Sequence, residues 1–331
     1  MEGKMTKRIN MRMGALAAGV ALAAGLAGQM QARAAEPVTV YQAFQSIQYL
    51  PLYVAIDKGI FAKNGLDVKK VTASSGAAGV AAVIGGHADF SLQDPMTAVL
   101  ANLKGASVIS VANVVAGVPV WVIAPPEAGV HQPGDLSGKS VAVALPPSTS
   151  TYLLQRLVKD QKIDKVALNT VQIGTELAPV SAGRSQAAAV YEPQADTGIA
   201  QGYQIVYGFP KAYPGGYAFS TIDTLASTIK DKPKMVAAFV KSMAEAEALI
   251  HQSPQTAKDV AKSEFPTLDP KIVEAAVGRL IDQNIYAPTP AISEQAFRNA
   301  LDLQESIGNV KPGSVTYAGS VDNSFAASLG K

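Results

Sequence analysis

The 331-residue sequence predicts an α/β protein built as two lobes. Three observations carry this. Short apolar strands alternate with helices that begin at polar or proline-containing turns, the pattern of successive βαβ units. At Pro125-Pro126 the alternation breaks, and a second α/β series follows. From Ile222 onward the chain reads as helical, as expected of helices that return to the first lobe. The lobes are therefore expected at 35–123 plus 222–331, discontinuous, and at 124–221, with crossovers near 122–126 and 216–222.

The first 34 residues stand outside this fold. Lys4, Lys7, Arg8 and Arg12 make a basic start, Gly14 to Gly28 is an uncharged apolar run, and Ala32-Arg33-Ala34 supplies an A-x-A cleavage pattern. The run is shorter than the ~20 apolar residues a spanning helix needs. A signal peptide cleaved after Ala34 is expected, with the mature chain in the periplasm. Taking its five Lys/Arg and one acid from totals of 28 and 26 leaves 23 basic and 25 acidic residues. The mature net charge of −2 offers nothing to attract nucleic acid. There is no cysteine, which removes disulfides, a lipid-anchored thiol, cysteine nucleophiles and thiolate metal sites.

In order, Val38–Val68 reads as a strand, a polar loop, a helix and a turn into a second strand, Leu66–Val71. Pro51 suits a first helical turn, because its missing N–H is not needed there. Gly59 suits a helix end, and Asn64-Gly65 a turn. Ser74-Ser75-Gly76 opens an Ala/Val helix; Ala88–Leu92 is a strand, and Asp94-Pro95 starts the next helix. Ser107–Val111 and Val120–Ala124 are further strands. Right-handed crossovers in a parallel sheet bring the turns at Gln45–Tyr49, Ser74–Gly76 and Gln93-Asp94 to one edge. Open α/β sheets bind ligands at that edge.

The second series has strands at Ser140–Leu145, near Val166–Ile173, at Ala187–Tyr191 and at Gln204–Tyr207. A helix running to about Gln161 starts at Pro147–Tyr152. After Gly215-Gly216 come helices from Pro233, at Pro254–Glu264, Pro270–Gln283 and Ser293–Ser306. In the helix from Pro233, Val236, Phe239, Val240, Met243 and Ile250 keep helical spacing, and Lys241, Glu245 and Glu247 are assigned to solvent. The tail after Pro312 shows no clear element.

Candidate binding residues follow from the turns. Gln45, Ser46, Gln48 and Tyr49 offer amides and hydroxyls. Four hydroxyl residues in a row, Ser148 to Thr151, with Tyr152 behind them, exceed what one helix cap needs, and a helix N-terminus favours an anion. Ser74 and Ser75 fit a facing wall or a plain loop equally well. Asp94 before proline matches an N-cap. Glu is a poor N-cap, so Glu192 before Pro193 is an acceptor for a ligand amine or hydroxyl, or a surface group. Trp121, Tyr191, Tyr213 and Tyr217 fit either a ligand wall or a packed junction. His87, His131 and His251 lack ligand spacing, and Ser227–Lys230 matches S-x-x-K without a partnering K-T-G, so neither metal site, cofactor nor enzyme chemistry is expected.

The blocks PLYVAIDKGIFAKNGLDV, AAVIGGHADF, DLSGKSVAVAL followed by STSTYLLQRL, and AAAVYEPQAD together resemble ABC-transporter periplasmic substrate-binding proteins of the nitrate, sulfonate and taurine group. The resemblance covers about Val38 to Lys262. It implies a type II periplasmic binding protein fold, two α/β lobes joined by two crossovers around a ligand cleft. It further implies a monomer that passes a small molecule to an inner-membrane ABC permease. By motif position, Gln45, Ser46, Gln48, Tyr49, Ser74, Ser75, Gln93 and Asp94 would meet Ser148, Thr149, Tyr152 and Glu192 across that cleft, with Trp121 and Tyr217 added as aromatic cover. A sulfonate- or taurine-like anion or zwitterion is the implied ligand; a pyrimidine, a thiamine precursor or a small aromatic acid is the alternative, through the related thiamine-pyrimidine synthase-like family, with a non-transport enzyme or a sensor on the same fold ranked behind both. Relatives often carry Trp where Tyr191 stands, and Asp94 sits awkwardly beside a pure anion.

Overall fold

The computed structural model describes residues 34–330, so the expected leader lies outside the described residues except for Ala34. Its elements run β1 Glu36–Gln42, α1 Leu50–Asp57, α2 Ile60–Lys63, β2 Leu66–Thr72, α3 Gly76–Ile84, β3 Phe90–Gln93, α4 Pro95–Asn102 and β4 Val108–Val115. Then come β5 Trp121–Ala124, β6 Ser140–Ala144, α5 Thr149–Asp160, β7 Ala167–Val171, α6 Leu177–Ser181, β8 Ala187–Val190, α7 Gln194–Ala200 and β9 Gln204–Gly208. The chain closes with β10 Ser220–Leu225, α8 Ala226–Asp231, α9 Pro233–Gln252, α10 Pro254–Glu264, α11 Pro270–Asp282, α12 Glu294–Ser306 and α13 Ser324–Ala327.

These strands form two five-stranded sheets, in the orders β2-β1-β3-β10-β4 and β7-β6-β8-β5-β9. In each sheet three parallel strands are followed by one antiparallel strand, β10 in the first and β5 in the second. This is the two-lobe α/β fold. The central strands β3, β5 and β8 are buried along their whole length, as strands covered on both faces must be.

Two details differ from the sequence reading. Trp121–Ala124 pairs with β8 and β9 in the second sheet, so the chain leaves the first sheet at 116–120. It returns to the first sheet at Ser220, where a strand and not a helix follows: β10 slots between β3 and β4. The two passing segments lie side by side, with Tyr217 N–H donating to the Ala116 carbonyl (2.9 Å) and Phe209 N–H to that of Val120 (3.1 Å).

Proline starts set the helices as the sequence suggests: Pro51, Pro95, Pro233, Pro254 and Pro270 all stand in a first turn. Gly59 takes φ +64° between α1 and α2, where a side chain would strain the backbone. In α9 the expected apolar face is buried, but Glu247 is buried with it. It stands four residues after Met243 and three before Ile250, hence on their face. Neither of its carboxyl oxygens has a partner, and burial pushes its pKa well above the usual range. α9 packs on α1 and β4, whereas α11 touches α7 and α12 touches α5, so the C-terminal helices contact elements of both sheets. The tail is also engaged, since Val321 bridges Ser110; ahead of α12, Tyr286 bridges Val115.

Candidate functional site

The turns at the carboxyl ends of β1, β2, β3, β6, β7 and β8 converge on one cavity of about 230 Å³. Ala43, Phe44, Gln48 and Tyr49 come from the first turn, Ser74, Ser75 and Gly76 from the second, and Asp94 and Thr97 from the third. The second sheet adds Leu145 to Thr149, Gln172, Ile173 and Tyr191, and the returning segment adds Phe219 and Ser220. Of the residues expected from sequence, Gln48, Tyr49, Ser74, Ser75, Gln93, Asp94, Ser148 and Thr149 stand here together.

The polar groups divide by whether the protein already uses them. Ser75 is an ordinary cap, its Oγ accepting from Ala78 N–H at 3.2 Å. Asp94 caps α4 through Oδ1, which accepts from Met96 N–H at 2.8 Å. Its Oδ2 accepts from the Thr149 hydroxyl across the cavity. Ser148, by contrast, makes no cap bond; its Oγ lies 3.0 Å from Ser150 Oγ and 3.3 Å from the Tyr191 hydroxyl. Both amide atoms of Gln48, Oε1 of Gln93 and Oγ of Ser220 are buried without any protein partner. Buried polar atoms left in this way are costly unless something else meets them.

Among the described residues lining the cavity there is no Lys, Arg or His. Asp94 is the one carboxyl; burial pushes its pKa up to about 6, against the Thr149 hydroxyl and the Met96 N–H, which favour the charged form. The N-termini of α3, α4 and α5 border the space and contribute partial positive charge. Aromatic rings make the remaining wall: Phe44 meets Tyr49 at 5.5 Å and Tyr191 at 5.3 Å, and Tyr191 meets Phe219 at 6.1 Å.

The other six expected residues lie elsewhere. Gln45 donates its amide to the carbonyl and carboxylate of Glu264, both at 3.1 Å, and lines a neighbouring cavity of about 510 Å³ beyond Phe44 and Tyr191. Ser46 is buried and donates to the Glu192 carbonyl at 2.6 Å. Trp121 is buried at the start of β5, with the Arg279 guanidinium 5.9 Å from its ring. Tyr152 sits one turn into α5, half-buried against the core. Tyr217 is buried in the returning segment beside Tyr213 and Phe219, its hydroxyl unpartnered.

Glu192, expected as a ligand acceptor, lies outside this cavity and lines the same neighbouring one as Gln45. It is 1 % exposed, lies 3.0 Å from Arg279 Nε, and accepts from Asp196 N–H at 3.1 Å. Burial first, and then the nearby Asp196 charge, push its pKa up to about 8 against the pull of Arg279. Arg279 came from α11, far along the chain, and no local motif marks it. Phe44, Thr97, Gln172, Phe219 and Ser220 were also missed. Phe44 was within reach, since it lies inside the loop already singled out; the last two come from a passing segment that carries no turn signal.

The family model described as NMT1/THI5 like matches residues 46–257. The chain is 24 % identical over 293 residues to the Bacillus subtilis (strain 168) protein YtlA, provisionally named a binding protein, covering 86 % of this chain and 87 % of that one. In solved structures it is similar to the alkanesulfonate-binding protein SsuA of Xanthomonas axonopodis pv. citri bound to MOPS, with a TM-score of 0.72, 15 % identity, and coverage of 87 % and 98 %. It is similar also to the desulfurization enzyme DSZB, with a TM-score of 0.68, 11 % identity, and coverage of 88 % and 98 %.

Proposed function

The chain belongs to the NMT1/THI5-like family, and from that membership we propose that it is a periplasmic solute receptor of an ABC importer, handing a small polar molecule to an inner-membrane permease. It acts as a monomer, exported by the leader that ends at Ala34, and it carries its solute unchanged. What supports a binder over a catalyst is that the cavity's one carboxyl is engaged by a helix N–H and a threonine hydroxyl, and that no described lining residue is a Lys or His that could serve as a base.

The observation that carries the ligand reading is the unpartnered buried amide of Gln48 and the unpartnered Oε1 of Gln93, beside Asp94 in a cavity whose described lining has no cationic side chain. Such a wall suits a small flat ring that both donates and accepts hydrogen bonds and is neutral or bears an amine, as an aminopyrimidine does. The rings of Phe44, Tyr49, Tyr191 and Phe219 suit its faces. A simple sulfonate would meet Asp94 with no side-chain cation to offset the repulsion. A zwitterion such as taurine is the second reading, favoured by the helix N-termini on one side and Asp94 on the other.

Calorimetry with 4-aminopyrimidine, taurine and ethanesulfonate at pH 8 tests this. Binding of the first, with weaker or no binding of the third, is expected; tightest binding by ethanesulfonate overturns the ligand reading. Product formation from a bound solute overturns the receptor reading. Gln48→Leu is expected to weaken 4-aminopyrimidine binding by about tenfold or more while leaving the melting temperature level or higher, because it removes two unpaired buried polar atoms. Unchanged affinity would return Gln48 to a passive wall residue.

A further inference from the structure

Gln93 ends β3 and reaches the cavity wall beside Gly76 and Thr97. Its amide is held at one end only: Nε2 donates to Asp223 Oδ2 at 3.3 Å. Asp223 lies within β10, fully buried, and its Oδ1 accepts from Ser110 Oγ at 2.6 Å and from Thr221 Oγ1 at 2.7 Å. Two hydroxyls on Oδ1 leave Oδ2 for the amide. An ionised carboxyl can only accept, so the glutamine must turn its NH2 toward Asp223 and leave Oε1 facing away. That Oε1 has no protein partner. It fits close to α3 because Gly76 and Gly79 lack side chains; a Cβ on either would stand 3.3 Å from it.

We infer that Asp223 is a specificity-determining positioning residue: by holding the Gln93 amide at its nitrogen, it fixes this wall as an acceptor that selects solutes presenting an N–H or O–H. The inference rests on the cavity being the solute site. Asp223 itself touches no solute. Gln48 has both amide atoms free and can turn either way, so it accepts solutes of both kinds. Gln93 cannot turn without leaving two amide hydrogens facing away from Asp223 and two oxygens facing each other, and discrimination therefore falls on it.

The test uses the full chain and two probes of similar shape: 4-aminopyrimidine, which donates, and 4-methoxypyrimidine, which only accepts. At pH 8, above the raised pKa of Asp223, the native protein is expected to prefer the amino probe by about tenfold or more. In Asp223→Asn that preference is expected to collapse to about threefold or less, because a carboxamide can offer its own N–H to Oε1 and let Gln93 turn. An unchanged preference in folded Asp223→Asn overturns the inference. A second measurement needs no variant: in ¹⁵N-labelled native protein, the assigned Gln93 side-chain amide should exchange with solvent at least about tenfold more slowly than that of exposed Gln161. Equal exchange overturns the inference as well. The exchange measurement decides the matter where Asp223→Asn does not fold, or where neither probe binds; in the second case the ligand reading fails while the hold of Asp223 on Gln93 stands or falls separately.

Discussion

Arg279→Ala is expected to cost about 3–5 kcal/mol of folding stability, the loss typical of removing one partner from a buried ion pair. Arg279 projects from α11 between two carboxyls of the second sheet's region. Its Nε lies 3.0 Å from Glu192 Oε1, and its Nη2 2.5 Å from Asp196 Oδ1. Glu192 and Asp196 are both buried while the Arg279 side chain is 20 % exposed, so water replaces the lost guanidinium only in part. The ring of Trp121 also loses the cation 5.9 Å from its centre. The two carboxyls are not equivalent. Burial and the Asp196 charge both push Glu192 toward its protonated form, which makes Asp196 the closer charge partner of Arg279. Glu192→Gln should therefore cost less than about 1 kcal/mol, since a neutral amide replaces a neutral acid. Urea unfolding at pH 7 gives both numbers. A loss below about 1 kcal/mol for Arg279→Ala would show that the cluster is solvated and does not hold α11 to α7.

The second large effect is a decline in stability from pH 5 to pH 8. Burial raises the pKa of Asp94 to about 6, of Glu176 and Asp223 to about 7 and of Glu192 to about 8, with Glu247 raised as well. Unfolded, these carboxyls release their protons near pH 4. Between that point and their folded values, the native state binds more protons than the unfolded chain, so stability falls as pH rises. Their contribution is complete below about pH 4 and is lost as pH climbs through 6 to 8. Asp135 and Asp259, lowered by hydrogen bonds from the His131 N–H and from Lys262, act in the opposite direction on the acid side. The melting temperature is expected to peak near pH 4 and to fall by on the order of 10 °C by pH 8. Calorimetry across that range checks it, and Asp223→Asn should flatten the slope. A flat or rising curve in the native protein would mean that these acids are ionised at little cost.

The local grammar of the chain was readable because it rests on short-range chemistry. Pro51 and Pro95 mark first helical turns, and alternating strands and helices imply which turns share an edge. That reasoning brought Gln48, Tyr49, Gln93, Asp94, Ser148 and Thr149 to one place. Pairings decided by distant segments were not readable. Ser220–Leu225 mixes Ser, two Thr and Asp with only two aliphatic residues and so does not announce itself as a strand, and its place between β3 and β4 depends on partners more than 100 residues earlier. Glu192 looked like a ligand acceptor because Arg279 is 87 residues away in sequence and close only in the fold. Glu247 looked exposed because charge was weighed before angle on the helix.

The contacts that join the two sheets at and beside the cavity have a kinetic meaning. Thr149 bonds Asp94, Gln172 bonds the Ser74 carbonyl, and Ser46 bonds the Glu192 carbonyl, each joining turns that belong to different sheets. Under the proposed reading, release of a solute from the cavity is coupled to the parting of these bonds, so its residence time depends on an opening of the protein as well as on its own grip. On that reading, supplying more solute speeds loading only up to the opening rate, and the three hydrogen bonds set the period of a timer.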